Sequence, residues 1–325
     1  IDDYVQLYGG IDSNGVTERS RAMSALMVSV AERKALEMAC PSVVVDFAKP
    51  KADRLIFSGI EPEIEPNMEF FSSHLVSSES LSDKQRFTDT VELSPGEKTL
   101  SIGLLKNVGN LYVTDIEVVA PNGTLIWDAD FSEYDLNNLL EGVGDGELSC
   151  GNYAFPQDSF QFWNVDCSID LPLSVSAAGR YEVTVSAWGA PTETSEEIPQ
   201  LKVSVTSDTD SGQTNGALQI KSKIVELYDR FHGVKVDVDH ADVTSAYELL
   251  LAAWKERKSS ECIGNGCTNT EPFDGTGLSS LYKCHWNNWD LRTQYLAGNK
   301  DPTGMKYAWM TVIIMLMIDF NYLHE

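Results

Sequence analysis

Carboxylates crowd one stretch of this chain: Asp128, Asp130, Glu133 and Asp135 fall within eight residues, and Asp145 and Glu147 follow. Oxygen atoms at that density could supply the roughly six to eight ligands that Ca²⁺ takes. Asp128, Asp130, Glu133 and Asp135 are therefore the candidate metal ligands, and Ca²⁺ is the candidate cofactor. The competing reading is a solvated acidic loop, because charge-rich runs usually stay hydrated. Trp127, Tyr153, Phe155, Phe160, Phe162, Trp163 and Trp188 lie in or near the same region. Amphipathic rings beside polar groups suit recognition of a sugar. Trp127 and Trp188 sit in strand-like alternation and are read as core. Tyr153 and Trp163, between Cys150 and Cys167, are the candidate ligand-binding residues.

A second acidic run, Asp237, Asp239 and Asp242 with His240 between them, has cation-like spacing. It lacks the glycine and the distal glutamate of a full calcium loop, and Asp242 is read as a helix N-cap. The six cysteines are Cys40, Cys150, Cys167, Cys262, Cys267 and Cys284, with no C-x-x-C pair. Zinc-ribbon ligation and c-type haem attachment are thus not indicated, and no covalent haem is expected in this chain. An even count in an acidic protein points to disulfides and an oxidising compartment. Cys150 and Cys167 are the most natural pair. Cys40 could reach one of Cys262, Cys267 or Cys284, though connectivity stays open. Cys284 and His285 are read as a disulfide cysteine and an ordinary histidine. G-x-S-x-G, H-E-x-x-H, phosphate-loop and dinucleotide fingerprints are missing, and the five histidines lie far apart. Catalysis is therefore the poorer hypothesis, although paired acids for glycoside hydrolysis depend on a separation that the fold sets.

With 49 acidic against 24 basic side chains, the 325-residue chain carries a formal charge of −25. Nucleic acid is excluded as a partner, since its binding rests on Lys and Arg neutralising phosphates. Such acidity suits solubility in a salty exterior. The most apolar stretch, Tyr307 to Phe320, is shorter than the ~20 residues of a membrane span and reads as a core helix, so no transmembrane segment is expected. No signal-peptide pattern opens the sequence. A start at Ile1 without Met fits a mature fragment or the C-terminal part of something longer.

Elements must position these groups. A helix is expected from a Thr17 N-cap, with Met23, Leu26, Met27 and Val30 at helical spacing, ending at Pro41. The following VVVDFAKPKADRLIF reads as a short buried strand or helical turn, and IEPEIEP as a linker. From about Phe70 to Val205 the period falls to two, with turn signals SPGE, NVGN and PNG, the pattern of an antiparallel sandwich or jelly roll. Asp135 to Ser159 reads as a long decorated loop. Beyond a polar linker at 207–216, Ile224, Leu227, Tyr228 and Phe231 mark one helix. Tyr247, Leu250, Leu251 and Trp254 mark the next, with Ser245 and Glu248 spaced as a capping box.

These segments carry a family resemblance. YGGIDSNGVTERSRAM, RKALEMACPSVVVDFAKPKADRLIF, VELYDRFHGVKVDVDHADVTSAYELL, AGRYEVTVSAWG and DPTGMKYAWMTVIIMLMIDFNYLHE resemble the C-terminal region of large secreted bacterial proteins of unknown function associated with planctomycete-type cytochrome c domains. The resemblance covers about half the chain. Where that family shows a DPN-type turn, an R-A-W helix and a closing F-L-Y-E, this chain has DPTGMKYAW and NYLHE. The resemblance implies β-domains akin to calcium-dependent carbohydrate-binding modules and cytochrome-bearing neighbours.

The expected fold is α+β and multidomain, a jelly-roll-like antiparallel β-sandwich inserted between helical segments that form a small α domain. Residues 1–66 would be an N-terminal helical segment and linker, 67–206 the sandwich, 207–216 a linker, and 217–325 a C-terminal helical domain packing with the N-terminal segment. The expected function is a non-catalytic periplasmic or extracellular module whose sandwich recognises a polysaccharide or a protein subunit of a larger assembly. The alternatives are an accessory subunit of a multihaem electron-transfer assembly and a polysaccharide-active enzyme.

Overall fold

The computed structural model describes residues 25–105, 109–131, 147–148, 159–162, 168–191, 198–208, 212–259, 301 and 303–318. The chain divides into two compact units, Ile1–Glu65 with Gln219–Glu325, and Pro66–Leu218. The fold is α+β with an antiparallel β-sandwich.

Ten strands form the sandwich: β1 (Met68–Leu75), β2 (Gln85–Leu93), β3 (Gly96–Leu104), β4 (Gly109–Val119), β5 (Leu125–Asp130), β6 (Glu147–Leu148), β7 (Phe160–Phe162), β8 (Ser168–Val175), β9 (Gly179–Pro191) and β10 (Gln200–Ser207). One sheet runs β1-β10-β3-β8-β6 and the other β2-β9-β4-β5, with β7 also pairing on β4. Without the short β6 and β7, these are the two four-stranded sheets of a jelly roll, in which successive strands alternate between sheets except at the β4–β5 hairpin. Alternation builds the core. Leu100, Ile102 and Leu104 of β3 and Leu201, Val203 and Val205 of β10 meet Tyr181, Val183, Val185 and Ala187 of β9, all at most 1% exposed.

Strand β4 changes phase once. Its register against β9 slips between Val113 and Asp115, which makes Thr114 the extra residue of a β-bulge. Leu111 and Val113 are therefore buried before the bulge, and Ile116 and Val118 after it. The Thr114 hydroxyl is shared between the Ser186 carbonyl at 3.2 Å and Asp115 Oδ2 at 2.7 Å. At the β4–β5 turn, Gly123 adopts φ 80°, a left-handed conformation that glycine takes without steric penalty. The Tyr181 hydroxyl donates back to the Ala177 carbonyl at 2.8 Å, fixing the corner before β9.

The helical unit holds α1 (Ala25–Ala48), most of α2 (Asn215–His232), α3 (Ala241–Ser259) and α4 (Met305–Ile318). Helix α4 packs on both α1 and α3. It is buried around nearly its whole circumference, with Trp309, Ala308, Val312, Ile313 and Leu316 at 0% exposure, as befits a core helix. No helix among the described residues is long and apolar enough to cross a membrane.

Three local expectations need correction. Pro41 lies inside α1, not at its end, and the VVVDFA stretch forms its final turns. An interior proline costs about 3 kcal/mol or more, and burial of Val43, Val44 and Phe47 beyond it, at about 1.5–3 kcal/mol for a fully buried large side chain, offsets that. The start of α3 lies before Ser245, placing the Ser245–Glu248 pair within the helix. The His240 carbonyl accepts the Thr244 N–H at 3.0 Å and His240 Nδ1 accepts the Asp242 N–H at 3.3 Å, so His240 takes the capping role and Asp242 sits in the first turn. The stretch read as loop at 135–159 contains β6, paired to β8 through Glu147–Asp170 and Leu148–Ile169. The Thr17 cap lies outside the described residues, as do the side chains of Met23, Leu26 and Met27.

Candidate binding face

The outward face of the β2-β9-β4-β5 sheet carries a run of polar side chains, exposed at Arg86, Thr88 and Asp128, half-buried at Asp115 and Glu117, and buried at Ser186 and Thr184. Register places Arg86, Ser186, Asp115 and Asp130 in one cross-strand row, and Thr88, Thr184, Glu117 and Asp128 in the next. Strands lie about 4.8 Å apart, so each row extends about 14 Å. Alternation explains the polarity: these positions are the out-facing partners of the buried Val183, Val185, Ile116 and Val118.

Most of the charges are paired. Lys84 Nζ donates to Asp115 Oδ2 at 2.9 Å, and Ser186 Oγ to Asp115 Oδ1 at 2.6 Å. Burial alone would push the Asp115 carboxyl up, yet the hydrogen bonds from Ser186, Lys84 and Thr114 hold it below its ordinary value. Arg86 pairs with Glu117 across the sheet. Thr88 and Thr184 hydroxyls meet at 3.0 Å. Asp128 is exposed opposite Glu117.

Next to the first row stand Tyr112 and Trp188, stacked with ring centroids 3.8 Å apart and planes 4° apart. Both are out-facing and excluded from the sandwich core. Burial raises the Tyr112 phenol pKa, opposed by a hydrogen bond with the Asn110 side chain. Trp188 is buried, as expected, but on the outer face. Trp127 is half-buried against the inner core, its Nε1 donating to the Pro172 carbonyl at 3.2 Å. Phe160 and Phe162 are wholly buried in the core.

Of the four candidate calcium ligands, Asp128 is the one with a described side chain. The backbone of Asp130 pairs with Asp115, and its side chain, with all of Glu133 and Asp135, lies outside the described residues. So do Tyr153, Trp163, Cys150, Cys167, Cys262, Cys267 and Cys284, and the Cys40 side chain. Among the described residues no three His, Cys, Asp or Glu side chains converge on one point, and that holds for the exposed Asp237, Asp239 and Asp242.

One polar trio escaped the sequence reading because its members lie on two strands. Ser72 Oγ donates to Asp89 Oδ2 at 2.6 Å, while His74 Nε2 lies 2.8 Å from that same oxygen and 3.3 Å from Ser72 Oγ. A nucleophilic relay needs the imidazole between serine and carboxylate, using both ring nitrogens. Here one nitrogen faces both partners, and the trio ties edge strand β1 to edge strand β2. Compared with known proteins, the chain matches no family model and no curated sequence.

Proposed function

We propose that the jelly roll is a non-catalytic carbohydrate-binding module of a secreted or periplasmic protein, and that the outward face of the β2-β9-β4-β5 sheet is its recognition surface. The observation that carries the reading is the pair of cross-strand rows, in which a guanidinium and hydroxyls on β2 and β9 lead into carboxylates on β4 and β5. A carboxylate can accept from two neighbouring sugar hydroxyls, and arginine donates in a fixed fork. The Glu117 carboxylate is already engaged by Arg86, which suits an acceptor held in place better than an acid that must deliver a proton. The jelly-roll topology also occurs among lectin domains, an analogy of fold that lends context and assigns no ligand. The even cysteine count and the acidity support an oxidising exterior compartment. Asp128, at the β5 edge of the same face, would be one ligand of a Ca²⁺ ion, with Asp130, Glu133 and Asp135 as the other candidate ligands.

Affinity electrophoresis of the full chain in soluble neutral polysaccharides, with CaCl₂ or EDTA, tests this reading. Retardation that falls at least about tenfold in affinity in Asp128→Ala is expected, together with a higher melting temperature in CaCl₂. Retardation by none of these polysaccharides in either condition sinks the carbohydrate reading. An unchanged melting temperature removes the calcium.

A further inference from the structure

Asn122, Gly123 and Thr124 form the tip of the β4–β5 hairpin, and all three are exposed. The backbone of this turn is closed twice: the Gly123 N–H donates to the Ala120 carbonyl at 2.9 Å, and the Ala120 N–H to the Thr124 carbonyl at 2.8 Å. The Asn122 side chain is held as well, its Oδ1 accepting the Thr124 N–H at 3.0 Å, a local side-chain bond typical of asparagine in turns. That bond closes a ring whose members include Asn122 Cγ and the Gly123 nitrogen. The carboxamide is thereby folded back toward the backbone nitrogen that can attack it. Gly123 brings no side chain to screen that nitrogen, and nothing lies within 4 Å of where a Cβ would stand.

We propose that Asn122 is a site of spontaneous deamidation and that the Thr124 N–H promotes it. Hydroxide takes the Gly123 amide proton, the nitrogen attacks Asn122 Cγ, and the new N–C bond places negative charge on Oδ1. A donor already aimed at the atom where charge develops lowers the barrier, and the Thr124 N–H is such a donor. The Cγ–Nδ2 bond then breaks, the nitrogen leaves as ammonia with a proton from water, and the five-membered imide opens when water adds to either of its carbonyls. The products are aspartate and isoaspartate. Either adds a carboxylate to the turn, and isoaspartate also routes the main chain between β4 and β5 through the former side-chain carbon. A second Asn–Gly pair among the described residues, Asn215–Gly216, opens helix α2. Helical dihedrals set the Cβ of Asn215 anti to the following nitrogen, and its Nδ2 donates to the Glu69 carbonyl at 3.2 Å. Ring closure there must first undo the helix turn.

The test incubates the full chain at mildly alkaline pH, folded and in urea, and follows both sites by peptide mass spectrometry, with isoaspartate read by enzymatic carboxyl methylation. In urea the two Asn–Gly pairs should deamidate at matching rates. In the folded chain Asn122 is expected to keep its rate while Asn215 falls at least about tenfold below it. Thr124→Ala, which removes the hydroxyl and keeps the N–H, should leave the Asn122 rate unchanged. Folding that slows both sites alike overturns the proposal. So does a slower Asn122 in Thr124→Ala, which would transfer the assistance from the N–H to the hydroxyl.

Discussion

In the β-sandwich the cluster between the sheets is built from apolar side chains such as Leu100 and Val205, with a buried ion pair, Lys98–Glu69 at 2.6 Å, while Ser72–Asp89 and Arg86–Glu117 lie at its edges and outer face. The helical unit buries more charge, at Asp46, Lys223, Asp301 and Lys306. The difference follows from how each unit satisfies its backbone. Strands answer one another's N–H and C=O groups in the ladder, whereas helix ends and the turns between them leave groups that other atoms must meet. Asp46 does this for the N–H groups of Leu55, Ile56 and Phe57, each at 2.8 Å. Asp301 does it for Lys306 and Tyr307 at the head of α4, both at 3.0 Å. Arg54 meets the carbonyls of Lys49 and Ile60 while pairing with Glu61. A unit drawn from two distant parts of the chain thus relies on buried charge to fix its turns.

Breaking the apolar packing of the helical unit has the largest expected effect. Trp309 is fully buried and packs against Phe57, so Trp309→Ala should cost about 3–5 kcal/mol. In calorimetry the transition of that unit should move or vanish while the sandwich keeps its own, and a matched loss in both would show that the two melt as one.

Asp46→Asn sharpens the comparison through pH. Burial alone would raise the Asp46 carboxyl, but the three backbone donors and Lys49 bring its pKa below the ordinary value. A depressed carboxyl contributes stability that is complete above the unfolded-state pKa and is lost as pH falls through the folded one. The variant should lose about 2 kcal/mol at neutral pH and show a flatter acid limb in urea titrations. An acid limb as steep as wild type would shift the cause to other carboxyls. The buried Asp301 and Lys306 move the opposite way: burial pushes the Asp301 carboxyl up and the Lys306 ammonium down.

Tyr181→Phe, which deletes one neutral hydrogen bond of the sandwich, has the smallest expected effect, about 1 kcal/mol and the same at every pH from 5 to 8. Denaturant titration at both ends of that range checks it. A pH-dependent loss would mean that the sandwich also leans on titrating groups.

The sandwich was legible because inward residues recur at every second position, as in Tyr181, Val183 and Val185, and because turn residues punctuate them. The jelly-roll order emerges only from pairing, since no local pattern says that β3 lies between β10 and β8. Pro41 misled because local helix rules do not see Val43, Val44 and Phe47 packing beyond it. The cap of α2 was hidden in a polar linker, where Thr214 Oγ1 accepts the Ala217 N–H at 3.2 Å. On the outer face of the β2-β9-β4-β5 sheet, Asp128 and Trp188 stood out as residue types. Their alignment with Glu117 and Tyr112 depends on register across β4, and that register hinges on one extra residue.

That residue, Thr114, divides β4 into two working halves. Before it, Leu111–Val113 pair with β7; after it, Asp115–Val119 pair with β5 along the same edge. The chain leaving β5 pairs as β6 on β8 of the other sheet before β7, so β5 and β7 dock on two separately phased segments of β4. Because the bulge separates the two registers, a one-residue change in β5 can be absorbed without moving the partners of β7.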